Sequence, residues 1–336
     1  MKTILVTGGA GFIGSHTAVE LFAAGYKVVI VDNLSNSKES VLKGIESITG
    51  TAPVFYNFDY SDHQKLKEII VKESIDGVIH FAAFKAVGES TQQPLKYYEN
   101  NVAGFIGLLK TLEGKGIPIV FSSSCTVYGE PDSLPVNEQA ALKPAESPYG
   151  ATKQMDEIIL RDVTKASQEL KGIALRYFNP VGAHPSGLIG ELPLGRPSNL
   201  FPVITQAVAG LGKELTVFGT DYDTADGSCV RDYIHVVDLA KAHIKALEYL
   251  ALKPAGFYDV FNVGTGKGIT VLEVINAFEH TTGQHVPHSL GARRAGDVIA
   301  TYADSTKANN ELSWHAEKKL DDACRDAWNW QQKLAD

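Results

Sequence analysis

Short apolar runs rich in Val and Ile alternate with helix-length segments through the first half of the chain, and this alternation constrains the fold more than any other feature. The apolar runs lie at 4–6, 28–31, 54–58, 78–81 and 119–122. The segments predicted to be helices lie at 14–24, 62–73 and 100–113. Near-continuous Val and Ile runs are typical of strands buried on both faces of a parallel sheet. Strands that alternate with helices predict an α/β fold with a Rossmann-type, doubly wound parallel sheet.

The second half of the chain continues this pattern only in part. Its predicted helices and strands lie at 149–167, 172–177, 231–250, 257–262 and 320–333. Gly and Pro are dense over 180–202, which indicates loops. We therefore expect a dinucleotide-binding domain at 1–179 that also receives segments near 231–265. The remainder, mainly 180–336, is expected to form a smaller, loop-rich C-terminal lobe that binds the substrate and interleaves with the first domain.

Charge and cysteine content exclude several classes of protein. The formal net charge is -8, so nothing favours non-specific binding to the phosphate backbone of nucleic acid. Three cysteines, Cys125, Cys229 and Cys324, form no CxxC pair, which disfavours a disulfide framework or a zinc site and predicts no metal. No apolar run is long enough to span a membrane, and residues 2–7 are typical of a strand rather than a signal peptide. We expect a cytoplasmic protein with reduced thiols.

A glycine-rich turn follows the first predicted strand and opens the first predicted helix. It reads Gly8-Gly9-Ala10-Gly11-Phe12-Ile13-Gly14, with GxxGxxG spacing. Such a turn lets the backbone approach a pyrophosphate, while the helix N-terminus supplies N–H donors and the positive end of its dipole. The position between strand and helix predicts a dinucleotide site.

Acids and small residues follow the next predicted strands. Asp32 closes the second strand, where an acid can hold both hydroxyls of the adenosine ribose and would repel a 2′-phosphate, so NAD is favoured over NADP. Asp59 follows the third strand, where it can meet the adenine edge. Phe81-Ala82-Ala83 presents small residues where a dinucleotide would pass. Taken singly, Lys85 and Asn100 are as consistent with a structural role as with a binding role.

Candidate catalytic residues lie after the fifth predicted strand and at the start of the next helix. Ser122-Ser123-Ser124 ends that strand, at the sheet edge where ligands bind in open α/β folds. Ser147 and Pro148 are predicted to be the N-cap and first residue of a helix. Tyr149 and Lys153 then lie at i and i+4, on one face of this helix.

The spacing of Tyr149 and Lys153 has a chemical use. A free phenol has a pKa near 10, too high for a base at neutral pH. A nearby ammonium and the positive ring of a nicotinamide both favour the phenolate. Lowering the pKa by about 3 units requires roughly 4 kcal/mol of differential stabilisation, which two close cations can supply. Ser124 would donate a hydrogen bond to the reacting oxygen of the substrate.

These motifs together resemble the extended short-chain dehydrogenase/reductase superfamily and, within it, the UDP-glucose 4-epimerases. The resemblance covers essentially the whole chain. Its specific stretches are TGGAGFIGSH from Thr7, SSSCTVYG from Ser122, SPYGATK from Ser147, LRYFNPVGAHPSG from Leu175 and VRDYIHVVDLA from Val230.

The resemblance implies three sets of site residues. The catalytic residues would be Ser124, Tyr149 and Lys153. Those around NAD would be Gly8, Gly11, Phe12, Ile13, Gly14, Asp32, Asn33, Ser35, Asn36, Ser37, Asp59, Tyr60, Phe81, Ala82, Ala83, Lys85, Asn100, Ser122, Tyr149, Lys153, Tyr177 and Phe178. Those around a UDP-hexose would be Ser124, Tyr149, Phe178, Asn179, Asn199, Leu200, Thr216, Val217, Phe218, Arg231, Arg294, Asp297 and Thr301.

The resemblance also implies the reaction. Tyr149 would take the proton of the sugar 4-hydroxyl while C4 passes hydride to NAD, and the resulting 4-keto sugar would turn about its link to the pyrophosphate before hydride and proton return. UDP-glucose and UDP-galactose would thus interconvert, in a homodimer formed through the helices near 100–113 and 149–167. Related 4,6-dehydratases carry an Asp-Glu pair where this chain has Cys125 and Thr126, which favours epimerisation. The alternatives are a net NAD-dependent oxidoreductase or other sugar-nucleotide modifier on the same scaffold, and a non-enzymatic dinucleotide sensor.

One position departs from a common bacterial pattern of the family. Where many bacterial members carry a tyrosine, this chain aligns Thr301. The resemblance implies that a small residue there admits an N-acetyl group, so UDP-N-acetylglucosamine and UDP-N-acetylgalactosamine are hypothetical further substrates. An alignment shifted by one residue would place Tyr302 there and remove this expectation.

Overall fold

The computed structural model describes residues 1–195, 197–294 and 297–335. Its strands are β1 (Thr3–Thr7), β2 (Lys27–Asp32), β3 (Val54–Asn57), β4 (Gly77–His80), β5 (Ile119–Ser124), β6 (Gly172–Tyr177), β7 (Asn179–Val181), β8 (Leu215–Phe218), β9 (Val230–Arg231), β10 (Tyr233–His235), β11 (Tyr258–Val263), β12 (Ile269–Thr270), β13 (His288–Gly291) and β14 (Ala300–Thr301).

The helices occupy the connections between these strands. The α-helices are α1 (Phe12–Ala23), α2 (Ser40–Thr49), α3 (His63–Lys72), α4 (Val87–Gln92), α5 (Pro94–Tyr97), α6 (Gly104–Leu112), α7 (Pro148–Ala166), α8 (Leu200–Val208), α9 (Val236–Ala251), α10 (Val271–Thr282), α11 (Thr306–Glu311) and α12 (Leu320–Ala335). A π-helical segment covers Tyr98–Ala103, and a 3₁₀ turn covers Cys125–Tyr128.

The largest sheet has seven strands in the order β11-β6-β5-β4-β1-β2-β3. Every adjacent pair within it is parallel. Strand β1 lies between β2 and β4, so the strand order reverses direction beside β1. Ligands bind at such a switch point, outside the carboxyl ends of the strands. The predicted Rossmann-type, doubly wound sheet is confirmed.

The two faces of the sheet are covered by different helices because alternate strand residues point to opposite faces. Ile4 and Val6 of β1 belong to a core cluster that includes residues of α1 and α9. Leu5, between them, belongs to a second cluster with residues of α3 and α6. All five residues of β1 are buried. Each such apolar side chain contributes roughly 1.5–3 kcal/mol by burial, which explains the unbroken apolar runs in the sequence.

The remaining strands form small sheets near the carboxyl edge of the large one. Strand β9 pairs antiparallel with β12 and parallel with β14, while β8 pairs with β13 and β7 with β10. Helices α8, α10 and α12 contribute to a separate core cluster beneath them. The Trp328 ring lies edge-on to Phe278, with ring centroids 6.1 Å apart, and so packs within this cluster.

Two predicted helices differ from those observed. The helix predicted at 231–250 begins only at Val236, because Tyr233–His235 pairs in parallel with β7 and His235 caps the helix by accepting the Val237 N–H at 3.1 Å. The helix predicted at 100–113 begins in the π-helical segment. That segment leaves the Asn100 carbonyl free to accept a hydrogen bond from the Tyr60 hydroxyl. In both cases long-range contacts override the local pattern.

Candidate active site

The glycine turn joins β1 to α1 at the switch point of the sheet. Gly8 has a φ of +71°, and a Cβ atom there would lie 2.7 Å from the Ala82 nitrogen. A Cβ at Gly14 would overlap the Gly8 carbonyl oxygen and lie 2.8 Å from the Gly9 Cα. Gly11 is the N-cap of α1 and makes no side-chain cap hydrogen bond. The first N–H groups of α1 therefore face the turn without a side-chain acceptor, as an anion site requires.

Asp32, the last residue of β2, holds this turn in place. Its Oδ2 accepts the Ala10 N–H at 3.0 Å, and its Oδ1 accepts the Leu34 N–H at 2.8 Å and the Ser37 hydroxyl at 3.1 Å. Asp32 and Ser37 are both buried. The carboxylate thus lies against the turn, where carboxylate oxygens can accept further hydrogen bonds from ribose hydroxyls.

The loops after β2 and β3 meet beside Asp32. The Asn33 amide donates to Asp59 Oδ2 at 2.8 Å, and Asn33 Oδ1 accepts the Ser35 N–H at 3.0 Å. Burial raises the pKa of Asp59, but hydrogen bonds from Ser61 and Asn33 outweigh it and leave that pKa below its usual value. Asn33, Ser35 and Asn36 are exposed in this loop. The structure brings these predicted NAD residues together.

The end of β4 flanks the glycine turn. The Phe81 N–H donates to the Thr7 carbonyl at 3.0 Å, which places Ala82 and Ala83 beside Gly8. Farther along, the Asn100 amide donates to Asn101 Oδ1 at 2.9 Å.

Lys85 forms an ion pair with Glu191, an acid that also binds a residue predicted on the substrate side. Its ammonium pairs with Glu191 at 3.2 Å, and the same carboxylate oxygen accepts the Asn199 amide at 2.5 Å. The Glu191 carbonyl accepts the Trp330 indole N–H at 3.0 Å. Lys85, expected around NAD, and Asn199, expected around UDP, therefore bind the same acid. Trp330 has a structural role.

The catalytic candidates converge on the end of β5. Ser147 caps α7 by accepting the Gly150 N–H at 3.2 Å, and Pro148 is its first residue, as predicted. Helix α7 carries Lys153 under β5, where its ammonium donates to the Ser122 carbonyl at 2.7 Å and lies 4.6 Å from the Phe121 ring centroid. Ser124 accepts the Thr126 N–H at 3.2 Å.

Burial dominates the electrostatics of this centre. It raises the pKa of Tyr149 to about 12, although a hydrogen bond with Ser124 acts in the opposite direction. Burial likewise lowers the pKa of Lys153, while the carboxylates of Asp156 and Glu157 raise it. The side chains alone therefore keep Tyr149 a neutral phenol. The low phenol pKa expected from the sequence requires the positive charge of a bound cofactor in addition.

Tyr177 and Phe178 complete this side of the site. The Tyr177 hydroxyl bonds the Ser122 hydroxyl, which places it beside the strand end that receives Lys153. Phe178 is buried against Val127 and Tyr128 in a small cluster behind Ser124. Both residues lie where β6 ends, next to β5.

On the substrate side, Arg231 approaches the catalytic centre. The thiol of Cys125 has its pKa raised to about 12 by burial, and the nearby Arg231 acts against this shift. Thr301 on β14 pairs with Arg231 on β9, so both side chains point to the same face. Tyr302 points to the opposite face, where its ring would meet a Cβ placed on Gly268.

A second group of predicted substrate residues lies on β8 and the segment after β13. Arg294 donates to Asp297 at 2.8 Å, and its guanidinium carbon lies 5.4 Å from the Phe218 ring centroid. Thr216 and Val217 precede Phe218 on β8, with Val217 buried. Among the described residues, no hydrogen bond or ion pair joins this group to Ser124, Tyr149 or Lys153.

Asn179 and Leu200 stand at the starts of their elements. Asn179 begins β7, and its N–H donates to the Asp232 carbonyl at 2.9 Å. Asn199 is the N-cap residue of α8, and Leu200 is its first residue.

Sequence reasoning missed Asp232, which organises the substrate side. Its side chain is fully buried and accepts hydrogen bonds from the Thr265 N–H and hydroxyl, the Gly266 N–H and the Ala303 N–H. These bonds tie the residue after Arg231 to the β11–β12 loop and to the end of β14. The sequence signal that could have identified Asp232 was its position as an acid between Arg231 and an apolar run.

Two further acids that the sequence reasoning left out lie on α7. Glu157 pairs with Arg176 at 2.5 Å and accepts the Ser123 hydroxyl at 2.5 Å, which fixes α7 against the ends of β5 and β6. Asp156 is buried on the same helix. Their positions three and four residues after Lys153 placed them on its helix face and were the only sequence signal.

These residues fit an NAD cofactor. The turn needs glycine at Gly8 and Gly14 because a Cβ at either position would clash with nearby backbone atoms. The start of α1 has no side-chain cap, so its N–H groups are available to a ligand. Asp32 lies beside the turn and Lys153 beneath Ser122. Among the described residues, no cluster of three His, Cys, Asp or Glu side chains could hold a metal ion, and no helix is long and apolar enough to cross a membrane.

Comparisons with known proteins agree with this geometry. The family model for GDP-mannose 4,6 dehydratase matches residues 5–327. The UDP-glucose 4-epimerase of Bacillus subtilis is 51% identical over 329 residues, which are 98% of this chain and 96% of that protein.

Solved structures show the same relationship. A UDP-glucose 4-epimerase from Stenotrophomonas maltophila, with bound NAD and formylated UDP-arabinopyranose, has a TM-score of 0.97 and 50% identity, covering 100% of this chain and 99% of that one. The enzyme from Bifidobacterium longum in complex with NAD+ and UDP has a TM-score of 0.95 and 47% identity, covering 99% of each chain. The chain therefore belongs to the UDP-glucose 4-epimerase family of the extended short-chain dehydrogenase/reductase superfamily.

Proposed function

We propose that this chain interconverts UDP-glucose and UDP-galactose by reversible, NAD-dependent inversion at C4 of the sugar. The observation that carries this proposal is the meeting of Ser124, Tyr149 and Lys153 at the end of β5, with Arg231 approaching from the substrate side. Bound NAD supplies a hydride acceptor that becomes the hydride donor within the same turnover. The protein residues bind, orient and move the proton.

Tyr149 is the residue that exchanges the proton of the sugar 4-hydroxyl. Its pKa is about 12 in the protein alone, so it acts as a base only where nearby positive charge stabilises the phenolate. Ser124, whose side chain lies near enough to the phenol to lower its pKa, is placed to orient the sugar 4-hydroxyl. Lys153 is held at the Ser122 carbonyl, where its ammonium serves as a fixed positive charge at this edge of the sheet.

The chemistry after Ser124 favours epimerisation over dehydration. Removing water across the sugar ring needs an acid and a base in addition to Tyr149. Burial raises the pKa of the Cys125 thiol to about 12, and Thr126 has no acidic group, so neither serves as an acid at neutral pH. A single proton-transferring residue is sufficient for a 4-epimerase because the same phenol removes and returns the proton.

The substrate side is suited to hold UDP while the sugar turns. Arginine guanidinium groups form paired hydrogen bonds with phosphate oxygens; Arg231 lies on β9, and Arg294 lies in the segment after β13. Asp297 orients the Arg294 guanidinium at 2.8 Å. We therefore assign most of the binding energy to the UDP moiety, which leaves the hexose free to present either face.

We further propose that Thr301 admits an N-acetyl group at C2 of the sugar. Thr301 shares a face with Arg231, whereas Tyr302 packs toward Gly268 on the opposite face. This arrangement supports the alignment that puts Thr301 at the sugar. Turnover of UDP-N-acetylglucosamine is expected, and Thr301→Tyr should lower it while keeping activity on UDP-glucose. An enzyme that does not turn over UDP-N-acetylglucosamine contradicts the proposal.

A second copy of the chain is the proposed partner. Apolar side chains are exposed on the outer faces of α6 and α7, namely Ile106, Met155, Ile158 and Val163. Two such helices from each of two copies can bury these faces against each other as a four-helix arrangement. Size-exclusion chromatography with light scattering should give twice the chain mass of 36.3 kDa, and Ile158→Glu should yield monomer.

We also propose a division of the chain into two domains and a cellular location. Residues 1–179, with segments near 231–265, form the NAD-binding domain, and 180–336 mainly form the UDP-sugar lobe. Strand β11 supports this division because it pairs with β6 in the large sheet. We place the protein in the cytoplasm, with Cys125, Cys229 and Cys324 as free thiols. Cell fractionation tests the location.

Incubation of the purified protein with UDP-galactose and no added cofactor tests the proposed reaction. Formation of UDP-glucose is expected because NAD is regenerated within each turnover. No product, even with NAD supplied, would contradict epimerisation. Stoichiometric consumption of added NAD would instead identify a net oxidoreductase on the same scaffold.

A further inference from the structure

Glu191 lies between the two predicted ligand sites, in the segment that joins β7 to α8. A single oxygen of its carboxylate, Oε1, accepts the Lys85 ammonium at 3.2 Å and the Asn199 amide at 2.5 Å. Lys85 is expected around NAD and Asn199 around UDP. The Glu191 side chain is 13% exposed, whereas that of Lys85 is 48% exposed. One mostly buried acid therefore contacts a donor from each site.

The backbone around Glu191 is held by helix α12 rather than by either ligand site. The Trp330 indole N–H donates to the Glu191 carbonyl at 3.0 Å, and the Asn329 amide donates to the Pro185 carbonyl at 3.1 Å. A Cβ atom at Gly190 would lie 2.5 Å from the Trp330 ring, so the chain runs close against the indole. Because α12 itself packs in the core cluster with α8 and α10, the carboxylate projects from a fixed base.

The backbone around Lys85 is fixed as well, which leaves its side chain as the part that can move. The Phe84 N–H donates to Asn101 Oδ1 at 2.9 Å, and the Ala86 N–H donates to the Tyr97 hydroxyl at 3.1 Å. A lysine ammonium sits on a flexible four-carbon stem and takes its direction from its partners. The contact with Glu191 therefore sets where the Lys85 ammonium lies.

Asn199 occupies the N-cap position of α8, where an asparagine side chain ordinarily accepts an N–H of the first turn. Within the described part of the chain it makes no such cap hydrogen bond, and its amide donates to Glu191 instead. Glu191 thus turns the Asn199 side chain away from its own helix. The carboxylate oxygen that orients Lys85 also orients Asn199, so the positions of the two donors depend on one atom.

We propose that Glu191 is a positioning residue through which NAD and the UDP moiety each strengthen the binding of the other. This inference rests on the proposed function and adds a link between its two ligands. A ligand that fixes either donor also fixes the shared carboxylate oxygen, so the second donor loses less freedom when its own ligand arrives. Because such coupling is reciprocal, bound UDP should retain NAD as much as bound NAD favours UDP.

A purely structural role for the Lys85–Glu191 ion pair would not produce this coupling. Ion pairs with a half-exposed lysine contribute little to stability. The Lys27–Glu73 pair has a similar exposure, 39% for the lysine and 11% for the acid. Lys27 begins β2, at the amino edge of the sheet, away from the carboxyl ends that carry the candidate site. Glu73 is therefore the matched control for Glu191.

Exchange of bound NAD in the purified holoprotein tests the proposal without turnover of a sugar. Excess NADH is added, and the fluorescence of newly bound NADH reports how fast NAD leaves, with and without saturating UDP. In the natural chain UDP should slow this exchange by about tenfold, within the usual range of coupling between sites. In Glu191→Ala, which removes the shared acceptor, UDP should slow it by less than about twofold. Glu73→Ala should keep the full effect of UDP.

Two further variants separate the link from a local disturbance. Glu191→Gln keeps the size of the side chain, but a neutral amide holds an ammonium less strongly than a carboxylate does, so the effect of UDP should fall to about threefold. Lys85→Met breaks the link at its cofactor end and should lower the effect of UDP as far as Glu191→Ala does. The double variant should show no additional loss, because both changes interrupt the same contact.

An undiminished effect of UDP in Glu191→Ala or in Glu191→Gln overturns the proposal, and so does a natural chain whose NAD exchange UDP does not slow. If Glu191→Ala does not fold or does not retain NAD, Glu191→Gln decides. Absence of UDP-galactose turnover would contradict the proposed function, while the exchange rates would still test the link through Glu191.

Discussion

The sheet edge, meaning the carboxyl ends of β1, β2, β4 and β5, differs in construction from the short-strand region formed by β8, β9, β12, β13 and β14. At the sheet edge, the candidate residues end a buried strand or follow soon after one; Asp32, for example, is the last residue of β2. In the short-strand region, Arg231 and Thr301 are 70 positions apart in the sequence and become neighbours through two paired residues on each strand.

The difference shows where each part of the site obtains its rigidity. The sheet edge rests on a parallel sheet whose strands are almost wholly buried, so its loops start from fixed points. Two-residue strands have little pairing energy of their own. The short-strand region is held instead by buried polar groups, above all by the four hydrogen bonds to Asp232. A change at the sheet edge should therefore affect cofactor binding, and a change in the short-strand region should affect substrate binding.

The largest expected effect comes from the residue where the two regions meet. Tyr149→Phe removes the proton-transferring hydroxyl, so kcat should fall by about 10³-fold, within the range for general acid–base catalysis. NAD should remain bound, and the Kd for UDP should change little, because the glycine turn, Asp32 and the two arginines of the substrate side are unchanged. Steady-state kinetics with UDP-galactose and calorimetric titration with UDP measure the two quantities.

Tyr56→Phe is the matched control for this variant. It removes a phenol that bonds Glu73 away from the site and should keep full activity. If Tyr149→Phe retained more than a tenth of the activity, another group would be moving the proton.

Gly14→Ala tests the sheet edge alone. The added Cβ would overlap the backbone of the glycine turn and displace the start of α1. Overpacking of this kind costs typically 1–3 kcal/mol, so NAD affinity should fall by about 10- to 100-fold. Fluorescence titration of the apoprotein with NADH measures it.

Gly88→Ala provides the comparison, because an added Cβ there meets no atom within 4 Å. Its NAD affinity should match that of the natural chain. Equal affinities for Gly14→Ala and Gly88→Ala would show that the turn does not carry the dinucleotide.

Asp232→Asn tests the short-strand region. In the Asn variant an amide nitrogen replaces one of the two carboxylate oxygens. This nitrogen cannot accept a hydrogen bond, so the N–H donors that face that position would be left unsatisfied. We expect a loss of about 2–3 kcal/mol of stability and a rise of about tenfold in KM for UDP-galactose, with a smaller change in kcat. Denaturant unfolding and steady-state kinetics measure these effects.

Asp223→Asn, an exposed acid in the preceding segment, is the control and should be neutral. If Asp232→Asn changed NAD affinity and left KM unaltered, the separation of the two regions would be wrong.

Much of the sheet edge could be predicted because local sequence and local structure coincide there. Ser147 and Pro148 predicted the start of α7 from capping chemistry alone, and the structure confirms both positions. The helix predicted at 231–250 failed at its start because pairing with β7 holds Tyr233–His235 as a strand. No local pattern encodes that pairing, since its partner lies more than 50 positions earlier.

The sequence by itself determined the Rossmann-type sheet, the glycine turn and the Tyr149–Lys153 spacing. Each follows from periodicity or from chemistry within a few residues. Only the tertiary structure decided which groups come near one another: the Lys153 ammonium donates to the Ser122 carbonyl, Arg231 lies near enough to Cys125 to act on the pKa of its thiol, and Asp232 joins three segments. The physical reason is burial. The pKa of a phenol or an ammonium depends on the groups around it in space, and folding brings those groups together from distant parts of the chain.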